Sequence, residues 1–231
     1  VTGLTISSHA MYLLGSGVRS TKLLYKPTIA GTAIDLHLDS VLLSEVTLKD
    51  FTMEATTTED FTKVGIALRD VSNVTLENII MSWYGNNASI GLQTKGRDLG
   101  KIKNIRIFAD IPISIENNPD YPTIDLDHFH FENTYLVSFE AAVGGPCIVV
   151  EDGVAITNLT FDGYNAWVPK TYGLYWNDTS ATGGSNLVFK NVRLEQTTDE
   201  TIYLFYINRS GTGYLNNVIF ENIYGGLKSK G

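Results

Sequence analysis

Several features that would place this chain in a familiar class are absent from its 231 residues. One cysteine, Cys147, excludes an intrachain disulfide, and its apolar surroundings (147–150) predict a buried structural thiol rather than a nucleophile. No run of about 18 apolar residues occurs, so we predict no membrane insertion. Proline is scarce, and no low-complexity or Pro/Ser-rich stretch divides the chain. We therefore expect one domain over residues 1–231.

Positive charge is also in short supply. The 17 Lys and Arg residues stand against 25 Asp and Glu, which gives a net charge of −8. Without a basic stripe to meet phosphates, the sequence predicts no nucleic-acid partner. No positively charged start leads into an apolar core, so no signal peptide is predicted. The chain begins with Val1 rather than Met, and we expect it to be a fragment of a longer chain.

What the chain does contain is a repeated strand pattern, apolar–polar–apolar–polar–Asn/Asp–apolar. Alternation with a period of two is typical of a strand with one buried face, whereas a helix needs apolar residues at i, i+3 and i+4. The seven copies that we identify begin at Val46, Val74, Ile105, Phe129, Leu159, Leu187 and Val218. Successive copies lie 24 to 31 residues apart, a spacing typical of one coil of a solenoid.

A second family of short strands alternates with the first. Its members are residues 33–38, 65–69, 89–93, 112–116, 146–150, 173–177 and 201–205. Two or more strands per coil, with coils stacked about 4.8 Å apart, describe a parallel β-helix. We therefore predict an all-β fold, a single-stranded right-handed parallel β-helix with about seven or more coils.

Asparagine recurs near the end of the repeated strand. The copies carry Asn78, Asn133, Asn191 and Asn222 there, and Asp50, Asp110 and Gly163 in the remaining three. Asn tolerates a left-handed backbone better than most residues, and stacked coils place the amides over one another, where they can form a hydrogen-bonded ladder. We assign these residues to the scaffold rather than to a binding site.

The opening coils carry a resemblance to a known family. Residues 15–25, Gly-Ser-Gly-Val-Arg-Ser-Thr-Lys-Leu-Leu-Tyr, and 31–36, Gly-Thr-Ala-Ile-Asp-Leu, resemble the opening coils of pectate-lyase-like β-helices in phage tailspikes and tail fibres. Residues 46–53, Val-Thr-Leu-Lys-Asp-Phe-Thr-Met, are similar to the next coil of such proteins. The resemblance covers the whole chain in architecture and is close in wording over this first stretch alone.

The resemblance implies a homotrimer on an extracellular virion tail that binds, and often degrades, bacterial capsular polysaccharide or lipopolysaccharide. No cofactor is expected. The sequence lacks the polygalacturonase set (Asn-Thr-Asp, Asp-Asp, Gly-His-Gly, Arg-Ile-Lys) and the acidic calcium cluster of pectate lyases, so no catalytic residue is carried over. Two other interpretations stay open. One is a non-catalytic receptor-binding or structural β-helix, and the other is a secreted or cell-surface carbohydrate-active enzyme.

Candidate catalytic residues lie at outward positions of the second strand family. Hydrolysis of a glycosidic bond needs two carboxylates roughly 5–10 Å apart, and a lyase needs a base and a group that neutralises a uronate. Glu116 is the first candidate, because it follows a buried strand and precedes a loop. Glu151 and Asp152 form the next pair, and His37 and Asp39 lie on an earlier coil. The competing interpretation of each is a solvated surface charge.

Candidate substrate-binding residues continue this outward column. They are Arg69, Gln93, Tyr175 and Tyr203. Trp167 joins them, since an aromatic residue beside a proline in a loop is typical of an exposed platform for stacking sugars; its alternative is a contact with a neighbouring subunit. Trp176 is a further stacking candidate, whose alternative is packing in the core.

A short stretch rich in Asp and His, residues 125–130, contains residue types that ligate transition metals. Strand alternation directs Asp125, Asp127 and His130 outwards without any fixed ligand geometry. We therefore predict a charged strand edge and no metal.

Overall fold

The computed structural model describes residues 3–25, 30–38, 42–55, 63–83, 89–95, 98–117, 126–139, 145–179, 183–195, 203–209 and 214–225. These residues form strands, turns and bends, and none of them lies in a helix, so no membrane-spanning helix is found among them. The strands are β1 (Leu4–Ile6), β2 (Tyr12–Leu14), β3 (Lys22–Tyr25), β4 (Gly31–Leu36), β5 (Leu43–Ala55), β6 (Lys63–Arg69), β7 (Val71–Trp83), β8 (Ile90–Lys95), β9 (Asp98–Ala109), β10 (Ile111–Ile115), β11 (Leu126–Glu132), β12 (Tyr135–Ser138), β13 (Ile148–Val150), β14 (Ile156–Thr157), β15 (Thr160–Asp162), β16 (Asn165–Val168), β17 (Tyr172–Asp178), β18 (Gly184–Lys190), β19 (Val192–Leu194), β20 (Tyr203–Arg209), β21 (Leu215–Glu221) and β22 (Tyr224–Gly225).

The strands pair in parallel to form two long sheets. The first sheet has eight strands in the order β1-β4-β6-β8-β10-β13-β17-β20, so each pairs with the strand one coil before and one coil after it. The other fourteen strands form the second sheet, through which each coil passes once. This arrangement confirms the right-handed parallel β-helix predicted from the two strand families.

Strand register stacks apolar side chains of successive coils over one another in the core. One inward column of the first sheet consists of Ile34, Ile66, Leu92, Ile113, Ile148, Leu174 and Phe205. Fully burying one such side chain stabilises the fold by about 1.5–3 kcal/mol. Cys147 is fully buried beside this column, and its burial raises the pKa of the thiol, as expected of a structural cysteine.

The predicted ladder is present at the bend that ends the repeated strand. Asn78, Asn133, Asn191 and Asn222 all have φ between 52° and 54°, the left-handed region that Asn tolerates. Their amides bond along the axis: Asn78 Nδ2 donates to Asp50 Oδ1 (2.8 Å) and Asn222 Nδ2 donates to Asn191 Oδ1 (3.1 Å). The ladder therefore belongs to the scaffold.

One predicted copy of the repeat is wrong. Ile102, rather than Ile107, stacks between Leu76 and Phe131, so the copy begins at Gly100 and its ladder residue is Asn104, not Asp110. Other copies of the repeat begin with an apolar side chain, but this copy begins with Gly100. The ring of Phe129, on the next coil, fills the space that such a side chain would occupy, because a Cβ on Gly100 would lie 2.3 Å from Phe129 Cε1. A glycine in an apolar position hid this copy from the sequence pattern.

A second column of left-handed residues, which the sequence pattern did not reveal, bends each coil earlier in its passage through the second sheet. Its members are Ala10, Glu45, Asn73, Leu99, His128, Asn158, Asn186 and Asn217. The last three form a shorter ladder, in which Asn186 Nδ2 donates to Asn158 Oδ1 (2.8 Å) and Asn217 Nδ2 donates to Asn186 Oδ1 (3.0 Å). Mixed residue types in the earlier coils explain why no motif stood out.

Candidate functional site

The first sheet directs two columns of side chains away from the core, and together they form what we call the polar face. One column contains Asp35, Gln93, Ser114, Tyr175 and Tyr206. The other contains His37, Arg69, Lys95, Glu116, Glu151, Asn177 and Asn208. Adjacent rungs of such a sheet lie about 4.8 Å apart, so neighbours in a column are in contact range.

Glu116 follows β10 and is held by three donors. Its carboxylate lies 2.9 Å from Lys95 Nζ, and it accepts hydrogen bonds from Gln93 Nε2 (2.7 Å) and Ser114 Oγ (2.9 Å). The side chain is 9% exposed. Charge-assisted bonds of this kind fix the orientation of the carboxylate.

Glu151 follows β13, one rung further along the axis, and differs in its surroundings. The residue is exposed at its outer edge, but partial burial of the carboxyl and the negative charge of Glu116 raise its pKa. The backbone N–H of Asn117 donates to Glu151 Oε2 (3.3 Å) and, with Lys95, offsets part of that rise. The two adjacent carboxyl groups therefore differ in their surroundings.

Such a pair has a defined chemical capability. Retaining glycosidases place two carboxyl groups about 5–5.5 Å apart, and inverting enzymes place them about 6.5–9.5 Å apart. Glu116 and Glu151 follow strands that are paired on adjacent rungs, whose backbones lie about 4.8 Å apart, so their carboxyl groups can approach to the shorter separation. The retaining reaction requires one carboxyl group as the nucleophile and a second, of raised pKa, as the acid.

Four tyrosines cover the two rungs that follow Glu151. The rings of Tyr175 and Tyr206 are stacked at 5.1 Å with an angle of 8°, and those of Tyr172 and Tyr203 at 6.0 Å with an angle of 22°. Tyr203 is 56% exposed. The sequence identified Tyr175 and Tyr203 and missed their partners, because Tyr172 and Tyr206 lie one residue outside the predicted strands 173–177 and 201–205. Amphipathic rings at a surface suit the mixed apolar and hydroxylated faces of a sugar.

The remaining candidates of the polar face lie at increasing distance from Glu116. Gln93 contacts its carboxylate directly and so positions it. Arg69 lies two rungs away, about 10 Å, and its Nη2 is 2.8 Å from Asp35 Oδ2. His37 lies three rungs away, about 14 Å, which is too far to act on the same bond as Glu116. Asp39 falls outside the described residues.

Asp152 is turned away from the pair. Its Oδ1 accepts a hydrogen bond from the backbone N–H of Thr179 (2.8 Å), and its Oδ2 accepts one from the Thr179 hydroxyl. These bonds join the turns of two successive coils. The structure thus brings together Glu116 and Glu151 and places Asp152 in a turn contact.

The prediction that Trp167 is an exposed sugar platform is wrong. Trp167 belongs to β16, is 0% exposed and packs edge-on against the Phe161 ring at 5.3 Å. All four residues of β16 are buried, and the proline lies beyond its end, so the predicted loop is a core strand. Trp176, at 1% exposed, is likewise a core residue. Neither indole can reach a sugar at the surface.

The Asp- and His-rich stretch brings Asp127 and His128 close to Asp98, with one potential ligand atom from each within 4.8 Å of the others. Hydrogen bonding within the protein accounts for this group: His128 Nδ1 lies 2.9 Å from Asp127 Oδ1, to which Asn158 Nδ2 also donates (2.9 Å). Asp125 lies outside the described residues. His130 belongs to β11 and is not part of the group.

Comparison of the chain with protein-family models, with curated proteins and with solved structures found no match. Function is therefore inferred from the β-helix and from the geometry of its polar face.

Proposed function

We propose that this β-helix binds and hydrolyses a bacterial surface polysaccharide, either a capsule or a lipopolysaccharide chain. The observation that carries the proposal is the juxtaposition of Glu116 and Glu151 on adjacent rungs, the first held by a lysine and two hydrogen-bond donors and the second with a raised pKa. A retaining glycosidase needs this division of labour between two carboxyl groups.

In the proposed reaction Glu116 is the nucleophile. Its carboxylate attacks the anomeric carbon while the protonated Glu151 donates its proton to the departing glycosidic oxygen, so that a glycosyl ester forms as the C–O bond breaks. Glu151, now ionised, takes a proton from water, which attacks the same carbon and releases Glu116. Gln93 and Ser114 hold the nucleophile in place throughout.

The tyrosine cluster supports the binding part of the proposal. Tyr175 and Tyr206 lie on the polar face immediately beyond the carboxyl pair along the axis. The ring of Tyr172 lies 5.2 Å from each of theirs, and the ring of Tyr203 stacks on Tyr172. A glycan lying along the axis would thus stack on these rings while one of its bonds sits at the carboxylates. On the other side of the pair, Arg69 borders a depression of about 400 Å³ with Asp35, Thr5 and Thr32.

The biological setting is proposed from the resemblance of residues 15–25 and 31–36 to phage tailspikes and tail fibres. We infer a homotrimer carried on the virion tail, where the polar face would meet the bacterial envelope before infection. Light scattering of the purified chain checks the assembly. Three times the chain mass supports this setting, and the mass of one chain contradicts it.

A second candidate, a β-helix that binds a glycan without cleaving it, is favoured by one observation. Glu116 already has a cation and two hydrogen-bond donors within 2.9 Å, which is also the environment of a carboxylate that stabilises stacked coils. The same tyrosines would then bind the polysaccharide. The two candidates differ in turnover alone.

Activity screening against a panel of capsular polysaccharides and lipopolysaccharides separates them. Wild-type protein should generate reducing ends from at least one polymer without the ultraviolet absorbance of an unsaturated uronate, which marks a lyase. We expect E151Q to lower kcat by about 10²–10⁴-fold and E116Q to lower it at least as much.

A matched control is available in Glu132, a carboxylate of the second sheet that pairs with Lys103 at 2.9 Å, as Glu116 pairs with Lys95. E132Q removes one ion-paired carboxylate and should keep full activity. Binding without reducing ends would support the non-catalytic candidate. Equal loss of activity in E132Q and E116Q would refute the roles assigned to the pair.

A further inference from the structure

A second groove, on the other sheet, follows the bend at the long asparagine ladder; we call it the ladder groove. It has a volume of about 770 Å³ and contains ladder residues Asp50, Asn78, Asn104 and Asn133 in its wall. Tyr164 lines both this groove and a neighbouring depression of about 580 Å³ that continues along the ladder past Arg193. The two together extend over several coils.

Unpaired cations distinguish this groove from most of the surface. Arg19 and Arg106 both line it, both are exposed, and neither makes an ion pair with any described residue. Elsewhere the surface cations are commonly paired, as Lys49 is with Glu77 at 3.0 Å. In a chain of net charge −8, two unpaired arginines against the one carboxylate of Asp50 give the lining of this groove a positive balance, which attracts negative charge.

Tyr164 enters the groove through an inserted residue. Asp162 stacks on Glu132 and Ala166 on Tyr135, so three residues (163–165) occupy the length that two (133–134) occupy in the preceding coil. Comparison with the following coil gives the same result. Phe161 stacks on Phe189 and Asn165 on Val192, so three residues (162–164) lie opposite two (190–191). The extra residue is Tyr164, which is 56% exposed. Bulges of this kind re-aim side chains and are frequent beside functional sites.

The buried side chain of Asn165 stabilises this bulge. It is 0% exposed, and its Oδ1 accepts hydrogen bonds from the backbone N–H (3.2 Å) and hydroxyl (2.8 Å) of Thr134. Its Nδ2 donates to the carbonyl oxygens of Gly163 and Lys190, both at 3.2 Å. The amide thus satisfies backbone groups of three coils around the insertion. Tyr164 is therefore held in the groove by a fully bonded support.

We propose that the ladder groove is a second, non-catalytic binding site for an acidic oligosaccharide. Arg19 and Arg106 line the same groove, together with the tyrosines Tyr135 and Tyr164. Arg193 lies three rungs beyond Arg106 in register, about 14 Å, and is already paired with Glu195 at 3.4 Å, so the two unpaired arginines carry the site. An extended glycan that carries carboxylates at intervals can meet both cations and lay sugar rings on the tyrosines. A neutral glycan can accept hydrogen bonds from the arginines but offers them no opposite charge.

This site is independent of the proposed hydrolysis, because it lies on the second sheet while Glu116 and Glu151 lie on the first. A failure of one can therefore be told from a failure of the other. Loss of turnover in E116Q tests the carboxyl pair, whereas loss of acidic-glycan affinity in R106Q tests the ladder groove.

The test is calorimetric titration of the whole chain with oligogalacturonate and oligosialic acid, and with maltooligosaccharides as neutral probes. We expect an acidic probe to bind more tightly than the neutral ones, and its affinity to fall as salt screens the arginines. R106Q and Y164A should each weaken it about 3- to 10-fold. K101Q is the matched control, since Lys101 is an exposed, unpaired cation of β9 outside the groove. The K101Q variant should bind the acidic probe with the affinity of the wild-type protein.

Three outcomes would overturn the proposal. The first is that neither acidic probe binds better than the neutral probes, and the second is that R106Q and K101Q weaken binding equally. The third is that R106Q and Y164A change the mass of the assembly in light scattering, which would make the groove a contact between subunits. Circular dichroism of each variant confirms that the β-helix is intact before the titration is interpreted.

Discussion

The stack of aromatic rings in the core makes the most demanding prediction about stability. Phe161 is 0% exposed and lies between Phe131 at 4.4 Å and Phe189 at 5.9 Å, both nearly parallel to it, with Trp167 edge-on at 5.3 Å. Replacing it with alanine removes all three ring contacts and leaves a cavity between two coils. Phe→Ala substitutions in cores cost about 3–5 kcal/mol, and each aromatic pair adds about 0.5–1.5 kcal/mol beyond burial.

We therefore expect Phe161→Ala to lower the free energy of unfolding by about 4–5 kcal/mol. Phe220 is the matched control, because it continues the same stack at its end, 5.5 Å from Phe189, but is 48% exposed. Phe220→Ala should cost about 1–2 kcal/mol, since about half of its surface is already in water. Urea unfolding followed by circular dichroism measures both.

Tryptophan fluorescence should report the same transition, because Trp167 touches Phe161. Coincident curves with an unchanged urea slope would show that the coils unfold together, as the comparison requires. Equal losses in the two variants, or a loss below about 2 kcal/mol in Phe161→Ala, would refute the assigned stacking register.

Three further predictions concern the backbone and the polar face. Gly100→Ala should cost about 1–3 kcal/mol in urea unfolding, because the new Cβ meets the Phe129 ring, whereas Gly225→Ala, with no atom within 4 Å, should stay within about 0.5 kcal/mol of wild type. Asn104 has a left-handed backbone (φ 53°), and both Asn104→Gly and Asn104→Ala remove its ladder amide. Glycine adopts this backbone freely and alanine does not, so Asn104→Ala should be about 1–2 kcal/mol less stable than Asn104→Gly. Equal stabilities would contradict the conformational role. Because the pKa of Glu151 in the folded chain is above its ordinary value of 4.5, stability should fall as pH rises from 4.5 through that raised pKa, and E151Q should abolish this fall in thermal-melting profiles.

Period-two alternation was enough to predict both strand families, because equivalent positions of successive coils stack over one another and all face the core. It failed at Gly100, where a glycine takes the place of an apolar side chain because Phe129 of the next coil fills the space. It failed again at Trp167, because β16 is buried at every position and shows no alternation. Both errors arise from packing between coils, which one coil's sequence does not contain.

The candidate site was partly predictable for a related reason. Alternation identified Glu116 and Glu151 as outward residues, but loops of unequal length separate the coils, so the sequence pattern could not establish that they are neighbours. Their different surroundings come from Lys95, Gln93 and Asn117, which lie on other strands or in the backbone. The ladder groove was missed because its arginines come from coils far apart in the chain.

The anomeric configuration of the first product tests the proposed chemistry most directly. Proton NMR of a cleavage reaction, recorded before the product mutarotates, distinguishes the two configurations. With Glu116 and Glu151 on adjacent rungs, the sugar should be released with its configuration retained. An inverted product, or an unsaturated uronate in its place, would contradict the roles that we assign to the two carboxyl groups.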